Sequence, residues 1–109
     1  MIWLDDLSYF FGGAFLANTA PHFVSGTMGR PFQSPFAKPP GVGLSSATVN
    51  VVWGVVNLVI AYLLLARVGA FDIRSPDNAI AAGLGILAIG LFSARAFGRV
   101  NGGNATAGS

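Results

Sequence analysis

One histidine, His22, stands four residues after Asn18 in a long run without formal charge. On a helix that spacing puts both side chains on one face, with Phe11 and Phe15 before them and Ser25 after. An imidazole in such a run is a functional candidate, because lipid cannot solvate an ionisable group. It could shuttle a proton, ligate a metal or haem iron, or donate to a quinone carbonyl. It could equally hydrogen-bond Asn50, Asn57 or the carbonyl of Ala17 freed by Pro21, and simply tie helices together. The chain has no cysteine, and no acid falls at membrane depth. One histidine is then too small a ligand set for a protein metal cage unless a second copy or a partner completes it. No metal and no other cofactor are expected.

Two amides continue the theme. Asn50, Gly54, Asn57 and Ala61 recur at i, i+4, i+7 and i+11, which is one helical face of small and amide side chains. Asn18, His22, Asn50 and Asn57 together form the candidate polar cluster. Amides of this kind contribute about 0.6 to 2 kcal/mol each between membrane helices, so the face also reads as interhelical adhesive. Val52, Val56, Val59 and Leu63 lie off it and should meet lipid. Gly54 and Ala61 on this face, with Gly83, Gly90 and Ala94 further on, are candidate packing positions, since small residues let helix backbones approach.

A third candidate is a docking loop, Arg30, Pro31, Phe32, Pro35, Phe36, Lys38, Pro39 and Pro40. The stretch Asn18–Ser46 holds five of the six prolines, and Pro-Phe returns after four residues. Proline holds its own φ and pushes the preceding residue to extended geometry, which predicts a stiff, partly polyproline-like loop over 30–46. Such a segment loses little entropy on binding and suits recognition by a partner, or it covers helix ends.

The elements that must position these residues are helices. Residues 7–29 carry no formal charge beyond His22, and as a helix they would span about 34 Å against a hydrocarbon core of about 30 Å. Gly12, Gly13, Pro21, Gly26 and Gly29 interrupt the run. It reads either as a span kinked near Pro21, or as a helix over about 3–19 with an irregular exit. Residues 47–68 form the clearest span, centred on VVNLVIAYLLLA. Ser75-Pro76-Asp77 has the order of a helix start, and 78–97 is the third span, ended by Gly98. The tail 101–109, NGGNATAGS, reads as flexible. The expected fold is an all-α membrane protein, a single domain over 1–109, with three transmembrane helices and a Pro-rich loop between the first and second.

Composition agrees with a lipid environment. Hydrophobic residues make up 53% of the 109 residues and charged ones 9%, against about 25% in a soluble domain. A net charge of +2 without any basic cluster leaves nucleic-acid binding no electrostatic footprint. Asp5 and Asp6, with no basic residue nearby, exclude the positive n-region of a secretory signal. Arg30, Lys38, Arg95 and Arg99 fall on one face of a three-span arrangement, and Arg67 and Arg74 on the other. The positive-inside rule then gives N-out, C-in. Signatures of phosphate loops, zinc proteases and serine hydrolases are absent, so no enzyme is expected.

NTAPHFVSGTMGRPFQSPFAKPPGVGLSS, with NVVWGVVNL after it, resembles a family of small uncharacterised bacterial multi-pass membrane proteins. The likeness covers about the middle half of the chain and implies the bacterial cytoplasmic membrane, but no activity or site. The expected function is a non-enzymatic accessory or self-assembling subunit. Its partners would be membrane lipid and either further copies or a larger membrane complex. The alternative is a small transporter, or a proton- or quinone-handling subunit, using His22 and the Asn50/Asn57 face.

Overall fold

The structure, a computed structural model, describes residues 2–103. Helix α1 (Ile2–Thr27) begins with Asp5 in its first turn, where a carboxylate complements the helix dipole. It runs through Gly12, Gly13 and Pro21 without a break, so neither the irregular exit nor the expected end near residue 19 is present. A proline inside a helix removes one backbone bond and leaves a carbonyl free, which neighbouring helices make tolerable. The helix stops at Gly29, whose φ of 73° lies in the left-handed region that glycine alone enters easily. There Arg30 N–H closes back on the Ser25 carbonyl at 2.9 Å.

The connection that follows is not a simple Pro-rich loop, and the expected fold is corrected here. Strands β1 (Phe32–Gln33) and β2 (Leu44–Ser45) pair antiparallel, Phe32 opposite Ser45 and Gln33 opposite Leu44, making a β-hairpin. The prolines sit at its entrance and in its loop, outside the paired residues, where a missing N–H breaks no ladder bond. The loop closes on Ser34: its carbonyl accepts from Gly41 N–H at 2.9 Å, and its hydroxyl meets that of Ser45 at 2.6 Å. The Lys38–Pro39 bond is cis.

Helix α2 (Ala47–Ala66) is capped by Ser46, whose side chain accepts from Val49 N–H. Asn50, Gly54, Asn57 and Ala61 are its buried residues, whereas Val52, Val56, Val59 and Leu63 are exposed. Helix α3 (Pro76–Asn101) has Ser75 as its cap and Pro76 in its first turn. It continues through Gly98, the expected stop, and ends at Gly102, which takes the left-handed conformation at φ 77°. The expectation for the tail falls largely on residues 104–109, which lie outside the described residues.

Helix α1 is the middle of the molecule. It packs along both α2 and α3, and those two scarcely touch each other. The result is a slab of 40 × 34 × 22 Å. The segment from α2 to α3 crosses over the amino-terminal end of α1, where Phe71 meets buried Tyr9 edge-on at 5.0 Å.

The second correction concerns the spans. Among the described residues, α2 and α3 are long and apolar enough to cross a membrane, and α1 is not. Ser8, Tyr9, Asn18, Thr19, Pro21 and His22 dilute the apolar content of α1. Three transmembrane helices therefore overstate the case, for a physical reason: polar side chains interrupt the run of the central helix, whereas α2 and α3 each hold a long apolar stretch.

Candidate functional site

Asn18 and His22 of α1 meet Asn57 and Asn50 of α2 in two separate pairs. His22 Nδ1 lies 2.8 Å from Asn50 Oδ1, and both residues are buried. The Asn50 amide nitrogen faces three carbonyls: Phe32 at 3.2 Å, Ser45 at 3.1 Å and Ser46 at 3.0 Å. Its two N–H groups are directed at those acceptors, so its oxygen must face the imidazole. The proton of the ring consequently sits on Nδ1. In the neutral ring Nε2 is left as the lone-pair nitrogen.

One residue type thus solves three problems. Asn50 satisfies a carbonyl of its own helix, two around the hairpin, and the histidine of α1. The hairpin reaches this point because the β1–β2 register puts the Phe32 carbonyl over the first turns of α2.

The deeper pair is simpler. Asn57 donates to the Trp53 carbonyl of its own helix at 2.8 Å, which turns its oxygen toward α1. That oxygen accepts from Asn18 Nδ2 at 3.0 Å. Asn57 is completely buried, while Asn18 is half-buried.

Aromatic rings surround His22. Phe32, Trp53 and Phe97 approach edge-on, with centroids at 5.6, 6.4 and 6.5 Å. Phe32 and Phe97 also pack on each other at 4.8 Å, joining the hairpin to α3. The Nε1–H of Trp53 is buried and has no acceptor among the described residues.

The other candidates are more scattered. Phe32 is drawn inward, while Arg30, Pro31, Pro35, Phe36, Lys38, Pro39 and Pro40 are exposed, Phe36 resting on Trp53 at 5.0 Å. Gly54 lies against Phe23, and a Cβ there would come within 2.9 Å of that residue's backbone nitrogen. Ala61 is buried on the same contact. Gly83 and Gly90 have open space around them, and Ala94 is exposed.

Sequence reasoning missed Gly13 and Gly85, which meet backbone directly across α1 and α3: a Cβ on Gly13 would strike the Ala82 carbonyl, and one on Gly85 that of Phe10. It also missed the reciprocal amide pair of Gln33 and Asn101, at 3.0 and 3.2 Å, which ties the hairpin to the end of α3. Nothing local in the sequence marks that pair. Gly85, two residues past Gly83, carried the signal for the close approach, but two residues turn a helix by about 200°, so Gly83 looks away from α1.

No family profile, curated protein or solved structure matches this chain. The resemblance to bacterial membrane proteins is therefore supported only in its coarser content, two helices able to cross a membrane. Among the described residues no group of three or more His, Asp or Glu side chains could hold a metal ion.

Proposed function

We propose that this chain is a small membrane protein that handles protons, or a ligand that carries them, at His22 and the Asn18/Asn50/Asn57 face. One observation carries the reading: a buried imidazole on α1 meets Asn50 Oδ1 of α2 at 2.8 Å through Nδ1, which leaves Nε2 as the nitrogen able to take up and release a proton. The basic residues Arg30, Lys38, Arg95 and Arg99 share the hairpin end, because Gln33 and Asn101 bring the hairpin and the end of α3 together. By the positive-inside rule that end faces the cytoplasm.

The test replaces His22 by Asn. An Asn Nδ2 can donate to Asn50 as Nδ1 does, but it cannot titrate. Reconstituted in vesicles with an internal pH dye, the wild-type chain should pass protons faster than empty vesicles, and His22→Asn should abolish the difference with helicity intact. Equal flux in the two proteins would sink the proposal.

A second reading, association with further copies or a larger complex, has its own support. The outer face of α3 exposes Ile80, Leu84, Leu87 and Leu91 around the open positions Gly83 and Gly90. Mass measurement of the detergent-extracted particle decides it, a monomer counting against.

A further inference from the structure

A groove of about 530 Å³ runs between α1 and α3. Phe10, Phe11, Phe15 and Phe92 form its walls, with Ala88 opening space between them. It opens at the surface, since Phe11 and Phe92 are 47% and 64% exposed. Asn18 is the one lining residue with a polar side chain.

The position of Asn18 decides what the groove can take. Its partner Asn57 lies ten residues into the twenty-residue helix α2, about 15 Å from either end. With α2 spanning a bilayer, that is the middle of the hydrocarbon. The ester and phosphate groups of lipids stay near the helix ends, so they cannot reach the amide.

Asn18 spends one N–H on Asn57. An amide carries a second N–H and a carbonyl oxygen, and at this depth each is costly to leave facing acyl chains. An alkyl chain filling the groove would satisfy neither. A flat ring bearing a carbonyl satisfies the N–H and stacks or packs edge-on against the phenylalanine walls. The volume falls within the range of small-molecule sites, about 300–1,000 Å³.

We infer that the groove binds an apolar, planar carbonyl compound of the quinone class, its carbonyl oxygen accepting from the free N–H of Asn18. This rests on the proposed function in naming the ligand that would exchange protons near His22. Binding itself, however, needs only Asn18 and the aromatic walls.

The experiment uses full-length protein labelled with ¹⁵N-asparagine in phosphatidylcholine nanodiscs. A benzoquinone carrying a ten-carbon chain is titrated in, and decylbenzene, with the same chain and no carbonyl, is the comparison. The side-chain amide signal of Asn18, assigned by its loss in Asn18→Asp, should shift saturably with the quinone and bind it about tenfold more tightly than decylbenzene. Ala88→Phe and, separately, Ala14→Leu fill the groove and should each abolish the shift in protein of unchanged helicity. Equal binding of decylbenzene, no saturable shift, or a shift that survives both filling variants would overturn the inference. Proton flux in His22→Asn distinguishes the two proposals. A quinone that binds while flux ignores His22 leaves the groove standing and removes the proton reading. Flux that depends on His22 without quinone binding does the reverse.

Discussion

Toward α2, α1 offers Asn18, His22 and Phe23, the last lying over Gly54; toward α3 it offers Gly13 and the carbonyl of Phe10. The first contact is joined by side-chain amides in addition to close approaches of Gly26 to the Ala47 carbonyl and of Gly54 to the Phe23 backbone. The second is backbone against backbone, each helix supplying one glycine where the other presents a carbonyl. Amide contacts fix register and rotation, because an amide has a direction. Glycine contacts fix distance, because a missing Cβ is what permits the approach. Helix α1 is therefore spaced by glycines against both neighbours and oriented by amides against α2.

The sharpest break of this contrast is Gly85→Ala. Its methyl would strike the Phe10 carbonyl, and rigid backbone cannot yield as a side chain does, so we expect a loss of about 3 kcal/mol in reversible detergent unfolding. A near-neutral result would mean that α3 can move outward freely. Next comes Asn50→Leu, which strands the Nδ1–H of His22 and leaves carbonyls near the hairpin without their donor; about 2 kcal/mol should be lost. Asn57→Leu affects fewer partners and should cost about 1 kcal/mol, and a larger loss than at Asn50 would reverse the order of the two pairs. Gln33→Ala removes the tie to Asn101 and should cost below about 1 kcal/mol, read as faster amide exchange in the last turn of α3 with the rest of the helix unchanged. The smallest effect has the opposite sign. Gly83 has nothing around it, so Gly83→Ala should stabilise the isolated chain by about 0.5 kcal/mol through helix propensity. A loss there instead would reveal a second molecule packed on that face.

The α2 stripe was legible because its signal is local: four residues at helical spacing differ in size and polarity from everything between them. The start of α3 was legible for the same reason, in Ser75 and Pro76. The role of α1 was harder. Its residues gave a charge-free run of spanning length, but a helix packed on two sides has no single apolar face, and its polar content reads as interruption until both neighbours are in place. The hairpin was hidden by its prolines, which suggest an unpaired segment although they sit at its entrance and in its loop, outside the paired residues. Among the site residues, Asn18 with His22 and Asn50 with Asn57 could be found by spacing along each helix. Which amide meets which group could not, since the pairing depends on how far α2 is displaced along α1. Phe97 and Trp53 around the imidazole were beyond reach for the same reason.

The crossing of the 67–75 segment over the end of α1 has a consequence for biosynthesis. Ribosomes deliver the amino terminus first, so the helix that ends up in the centre is made before either of its covers. At that moment Asn18 and His22 have no asparagine to meet, and an acyl environment would penalise both. On the proposed membrane reading, the first helix should wait near the headgroups until α2 emerges, a helix long and apolar enough to cross a membrane. The hairpin then keeps α1 beside it, and α3 arrives last to close the other side. A nascent chain arrested before residue 47 should be extractable from membranes at alkaline pH, and one arrested after residue 66 should not.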